Sequence, residues 1–271
     1  METHMDVARV IAITNQKGGV GKSTTALNLG AALVEDGSRA LLIDLDPHAG
    51  LTFSLGFDEP EKAFEKTAYE VLDPDRQLPL CEAAVPTKLT GLDLIPSHED
   101  LVEIDYRLAG RPGWPQALKK RIREAGNAYQ YVLLDCPPSL GILSRMALVA
   151  ADLALVPVQA EWLALRGLRL LNRVVQEIKK ETDHEDLEVR YLITMHQRTK
   201  HAEEIQAEIR EHFGAQVYNT VIRRSVRFAD STVAGQPLLL FDTDHHGAQA
   251  YRDLAKEIHT YEPSTARVSS R

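Results

Sequence analysis

The sequence predicts an α/β fold: a single doubly wound, mostly parallel sheet with helices on both faces. Two observations predict it. Short apolar runs alternate with stretches of helical periodicity along the chain, the pattern of successive βαβ units rather than of hairpins. Neither a linker nor an internal repeat interrupts that alternation, so one sheet accounts for the whole pattern. The 271 residues suffice for one large core, and 44% hydrophobic with 26% charged residues is an ordinary globular composition.

The elements follow in order. Val10-Ile11-Ala12-Ile13 is a β-type run, and Ser23 to Glu35 places Ala26, Leu29, Leu33 and Val34 on one helical face. Asp36-Gly37 stops that helix, and Ala40 to Ile43 is a buried strand running into Asp44-Leu45-Asp46-Pro47. From Gly56 to Pro86 the pattern weakens into loops with one short helix near Thr67 to Leu72. Leu92 to Ile95 is a strand, Leu118 to Ala125 a helix with a solvated basic face, and Tyr131 to Asp135 a strand closed by an acid. Pro137-Pro138 then forces the chain out of the sheet. Leu153 to Val158 is a strand and Glu161 to Glu181 a long helix. Its basic stripe of Arg166, Arg169, Arg173 and Lys180 lies opposite Leu168, Leu171, Val175 and Ile178 and reads as a solvated face. Strands at Val189 to Thr194 and Val217 to Val221 flank a helix from His201 to Phe213. Leu238 to Phe241 reads as an extended run or a last edge strand, and Gly247 to Ile258 as the closing helix. Residues 1–8 are expected to be a flexible N-terminus and 261–271 a frayed polar tail, leaving 9–260 as the domain.

Charge and cysteine usage narrow the classes. A net charge of −8 argues against a surface that is basic all over, so any nucleic-acid contact must come from a local patch. Cys81 and Cys136 are far apart, which fits a reducing compartment and supplies neither a disulfide framework nor a zinc set. No apolar run approaches membrane-spanning length and no signal-peptide core precedes the first strand, so a cytoplasmic protein with no membrane partner is expected.

The chemistry concentrates in Gln16-Lys17-Gly18-Gly19-Val20-Gly21-Lys22-Ser23-Thr24, between the first strand and the first helix. Glycines there let successive N–H groups turn inward on an anion, and the helix N-terminus adds positive potential. Lys22 would reach the β- and γ-phosphates of a nucleotide, the Ser23 hydroxyl would ligate Mg²⁺, and Thr24 would reach the α-phosphate. A Rossmann reading is disfavoured: Gly19, Gly21 and Asp44 fit it, but Thr24 stands where the third glycine belongs, and a Lys-Ser pair has no task on a pyrophosphate without metal. Asp44 and Asp46, at the end of a strand, make sense beside phosphates if Mg²⁺ and an attacking water lie between. Asp135 closes its strand in the Walker B manner, holding Mg²⁺ through a water. Asp242-Thr243-Asp244-His245-His246 contains ligand-type residues, but it precedes a helix and reads as a cap by Asp or Thr rather than a metal site.

Gln16 occupies the first glycine position of the standard GxxxxGK[ST] pattern, and Lys17 adds a second lysine. This loop resembles the deviant Walker A motif of the ParA, MinD and nitrogenase iron-protein ATPases. The blocks Lys17–Thr24, Leu41–Pro47, LLDCPPSLG, VPVQAEWLALRGL, VIRRSVRF and GAQAYRDLAKEI resemble, in order, those of ParA/Soj-type partition ATPases. The resemblance implies a deviant Walker A P-loop NTPase fold with ATP and Mg²⁺ on a loop formed by Lys17, Gly18, Gly19, Val20, Gly21, Lys22, Ser23 and Thr24. It implies Ser23 and Asp135 at the metal, Asp46 at the attacking water, and Lys17 crossing to the partner's nucleotide in an ATP-bound homodimer. That dimer would bind double-stranded DNA non-specifically, associate with the nucleoid, and be reset when a ParB-type centromere-binding protein stimulates hydrolysis.

Arg198 and Arg227 fall where the family carries DNA-binding arginines, and if Arg198, Arg224 and Arg227 each neutralise one phosphate in both protomers, about six are neutralised. Arg223 departs from the family by replacing a proline. The alternatives are a relative that positions another cargo, such as a chemoreceptor array, a carboxysome or a secretion complex, and a MinD-like division-site regulator. The MinD-like reading needs an amphipathic C-terminal helix, and Tyr261 to Arg271 has no apolar face. An iron-sulfur carrier needs paired cysteines in positions that Cys81 and Cys136 do not match. The start of the chain almost directly at the first strand leans toward the short, Soj-like class.

Overall fold

The apolar runs assemble as one eight-stranded sheet in a computed structural model that describes residues 8–260 except 77, 162 and 163. The strands are β1 (Arg9–Ile13), β2 (Ala40–Asp44), β3 (Val85–Pro86), β4 (Leu92–Ile95), β5 (Tyr131–Asp135), β6 (Leu153–Gln159), β7 (Glu188–His196) and β8 (Val217–Arg223). Their order is β3-β4-β2-β5-β1-β6-β7-β8, parallel throughout except for β3, which pairs antiparallel with β4 at the edge. The helices are α1 (Lys22–Glu35), α2 (Gly50–Ser54), α3 (Pro60–Ala63), α4 (Ala68–Leu72), α5 (Leu80–Ala83), α6 (Glu103–Leu108) and α7 (Ala117–Glu124). They continue with α8 (Ile142–Ala150), α9 (Ala164–Thr182), α10 (Lys200–Phe213), α11 (Arg227–Val233), α12 (Leu238–Phe241) and α13 (His246–Thr260).

Both faces of the sheet are covered, which is why its strands read as continuous apolar runs. Ile11, Ile13, Leu42 and Leu133 point into one core with α1, α12 and α13. Val10, Ala12, Leu41 and Leu134 point into the other with α4 and with α6 to α10. On α9 the stripe reading holds: Arg166, Arg169, Arg173 and Lys180 are exposed, while Leu168, Leu171, Val175 and Ile178 are buried.

Three expectations are corrected. Leu238–Phe241 is a helix, not an edge strand. A run of four apolar residues carries no period, and here Pro237 starts a turn whose first amide, Leu238 N, donates to Asn28 Oδ1 on α1 at 2.8 Å. The stretch from Gly56 to Pro86 is more ordered than loops with one helix: α3 and α5 flank α4, and β3 closes it, its Pro86 tolerated because an edge strand can spare an amide. The expected helix near Thr67 is present, with a capping box between Thr67 and Glu70. Third, the cap of α13 is neither Asp nor Thr, since His245 Nδ1 accepts from Gly247 N at 2.9 Å. The expectations for residues 1–7 and 261–271, the MinD-like test on the tail included, lie outside the described residues.

Asn28 is buried, and its amide also donates to Thr24 O at 2.8 Å, so one side chain ties α12 to the first turn of α1. Replacing it with alanine strands a buried amide, at a cost of about 1–3 kcal/mol. Urea denaturation of Asn28→Ala is expected to show that loss with an unchanged m-value.

Candidate functional site

The site forms at the carboxyl ends of the parallel strands, beside β1, where the connections run to opposite sides of the sheet. The loop from Asn15 to Gly21 leaves β1 and enters α1 at Lys22. Gly19 and Gly21 take left-handed backbones, φ 71° and 87°, as an inward-facing nest of amides requires. Gly18 does not, so its presence is not explained by backbone freedom. Neighbouring strands fix the loop: Asn15 Nδ2 donates to Pro157 O at 2.7 Å, and the Thr194 hydroxyl donates to Val20 O at 2.8 Å.

The two lysines behave oppositely. Lys22 is buried, its Nζ 3.4 Å from Lys17 O, and burial lowers its pKa against the attraction of Asp135. Lys17 is half-exposed and its ammonium is ion-paired with the Glu161 carboxylate. Ser23 is the second residue of α1, and Gly50 at the start of α2 lies close enough that a Cβ there would meet Ser23 Oγ at 3.4 Å.

Parallel pairing sets Asp44 on β2 directly beside Asp135 on β5. Both are fully buried. Asp44 is satisfied: Oδ2 accepts from Thr52 N at 2.9 Å and from its hydroxyl at 2.7 Å, and Oδ1 accepts from Asp46 N at 3.1 Å. Asp135 has no hydrogen-bond partner on either oxygen, although the Ser23 hydroxyl is close enough to act on its carboxyl. Burial, then the Asp44 charge, raises the Asp135 carboxyl well above the usual carboxylate range, and burial raises Asp44 to about 7. An orphaned carboxylate next to a hydroxyl and facing a phosphate loop is the donor set a hydrated Mg²⁺ takes up, so the residues fit the ion. Asp46 lies at the rim, its side chain 14% exposed, with Oδ1 accepting from His48 N and paired with the His48 ring, each at 3.0 Å.

A cavity of about 380 Å³ opens beside Gly21 and Thr24, lined further by Met195, Arg223, Arg224, Phe228 and Tyr251. Met195 holds a left-handed backbone, φ 51°, at an irregularity in the β7–β8 pairing. β8 runs through Arg223, pairing it with His196, and Arg224 N donates to His196 O at 3.1 Å. Arg198 and Arg224 are exposed, and among the described residues neither guanidinium has an ion-pair partner. Arg227 differs: Nε donates to Asp242 Oδ2 at 2.9 Å, NH1 to Asp230 Oδ2 at 3.2 Å, and the guanidinium lies 4.7 Å from the Phe241 ring centre. Its charge is already matched, so the expected six free arginine contacts fall to four. Sequence reasoning named Asp44 but left it out of the site. Glu161 was missed, although it stands inside the VPVQAEWLALRGL block.

A family model described as an AAA domain matches residues 8–189. The chromosome partitioning protein ParA of Caulobacter vibrioides is 42% identical over 254 residues, covering 92% of this chain and 93% of that protein. The chain belongs to the ParA/Soj family of deviant Walker A P-loop ATPases. The sporulation initiation inhibitor protein Soj of Bacillus subtilis is 37% identical over 253 residues, covering 93% of this chain and 98% of that protein. A solved cobyrinic acid a,c-diamide synthase from Mycobacterium smegmatis, with bound ATP analog and magnesium, is similar at TM-score 0.81 and 35% identity, covering 93% of this chain and 95% of that one. Family membership agrees with the sheet order and with the two-lysine loop.

The buried acids carry a pH signature. An acid whose pKa is higher folded than unfolded gives stability that is present below about 4 and lost as pH rises toward 7. In chelator and without nucleotide, Asp44→Asn is therefore expected to gain in melting temperature relative to the wild type between pH 5 and pH 8.

Proposed function

We propose that the protein is a nucleotide-timed partition switch, in which ATP joins two copies, the dimer holds DNA, and hydrolysis releases it. The chain is an ATPase of the partition and positioning kind, with ATP and Mg²⁺ as its cofactors. The observation that carries the finer reading is the division of labour between the lysines. Lys22 is turned into the loop, whereas Lys17 stands at its mouth, half-exposed, where a second subunit can approach.

In this reading Lys22, the loop amides of Gly18 to Gly21 and Thr24 bind the phosphates, and the 380 Å³ cavity takes the nucleoside. Ser23 and Asp135 would hold Mg²⁺, which would supply charge neutralisation at the phosphates. Asp46, at the rim, orients the attacking water. Lys17 reaches the partner's nucleotide, so hydrolysis depends on dimerisation, and a cation delivered in trans is worth about 10³–10⁵ in rate. A ParB-type partner carrying centromere-like DNA stimulates that step, and Arg198 and Arg224 of both copies hold DNA phosphates at the nucleoid.

Two experiments test the reading. Lys17→Ala is expected to keep measurable nucleotide affinity and lose turnover by about 10³-fold or more; near-normal turnover in a confirmed monomer refutes the trans role. DNA mobility shifts are expected with ATP and not with ADP. With four phosphates neutralised, affinity should fall about 10²-fold between 50 and 200 mM salt; a flat response removes the arginine patch from the DNA surface.

A further inference from the structure

We infer that Glu161 is a positioning residue for Lys17: its carboxylate holds the lysine on its own subunit until a partner's triphosphate takes the charge over. The inference rests on the trans role proposed above.

Both ends of the ion pair are anchored through the backbone. Lys17 N donates to Asn15 Oδ1 at 3.0 Å, and Asn15 in turn holds Pro157 O on β6. Glu161 lies two residues beyond β6, in a tight turn where its own N donates to Gln159 O at 2.8 Å. The lysine and the carboxylate are thus tied to the same strand end, one from each side, and the pair forms from fixed points rather than by the meeting of two loose side chains. Side-chain exposures of 44% and 48% keep it accessible to a second subunit.

The consequence follows from charge. A lysine neutralised by a carboxylate offers little to a phosphate, and a carboxylate left near the partner's triphosphate repels it. Joining two copies therefore requires the pair to open in each. Exposed ion pairs shift an equilibrium by about 1.4- to 5-fold, so two amount to about 2- to 30-fold in the dimerisation constant. The pair sets a threshold: without nucleotide the lysine is held at home, and only a multiply charged anion across the interface draws it away.

The test is light scattering of the full chain over a range of protein concentrations, with Mg²⁺ and a slowly hydrolysed ATP analogue. Glu161→Gln is expected to dimerise at about 2- to 30-fold lower concentration than the wild type. Glu161→Asp, which keeps the charge, should fall between them. Screening weakens the wild-type pair, so the advantage of Glu161→Gln should shrink as salt is raised from about 50 to 500 mM, which a purely structural role for Glu161 would not produce. Equal or weaker dimerisation of Glu161→Gln beside a dimerising wild type overturns this inference alone, as does an advantage that salt leaves unchanged. A wild type that stays monomeric in every condition removes the trans role and this inference with it.

Discussion

Two carboxylates buried side by side impose the constraint on which the site depends. Strand pairing places Asp44 next to Asp135, burial pushes both carboxyls upward, and the Asp44 charge pushes Asp135 further. Thr52 and the Asp46 amide satisfy Asp44, so the unmet demand falls on Asp135. A buried charge is tolerated when it is paired or coordinates a metal. The sheet thereby sets an unpartnered carboxylate beside the phosphate loop, a donor that suits a hydrated divalent cation, and buried Lys22 supplies part of the compensation.

The same strand ends also connect the nucleotide loop to the outer surface. Thr194 on β7 holds the loop through Val20, the next residue, Met195, lines the cavity with a left-handed backbone, and His196 follows with its carbonyl on the Arg224 amide. Three consecutive residues thus span from the phosphate cradle to the arginine surface. A left-handed methionine is a costly backbone that persists only where its surroundings fix it. Whatever fills the cavity bears on the segment that presents Arg224. On the other side of the loop, β6 carries Asn15's anchor and leads to Glu161, so both flanks of the cradle are hydrogen-bonded to strand ends.

Most of the architecture was legible because its signals are local. Buried parallel strands read as apolar runs, α9 showed its two faces by period, and the short helix expected near Thr67 to Leu72 is present. The misread places lack such a signal. Leu238–Phe241 is too short to carry a period, and its first amide donates a hydrogen bond to Asn28, distant in sequence. The helices from α3 to α5 are four or five residues long, with Pro74 and Pro79 between α4 and α5, and packing rather than propensity holds pieces of that length.

The amino-acid order alone determined the phosphate loop, the acids at the strand ends and the alternation of elements, because each depends on residues adjacent in the chain. Only the tertiary structure decided which charges are already spoken for. Arg227 and Lys17 looked equally free in sequence, yet one is clamped by Asp230 and Asp242 and the other is held by Glu161. Lys17 and Glu161 lie far apart in the chain and meet because β1 and β6 are neighbours in the sheet, whereas Arg227 and Asp242 are joined by the fold of the short α11–α12 segment. Compensation of charge is a property of distance in space, which the fold sets and the order of residues does not display.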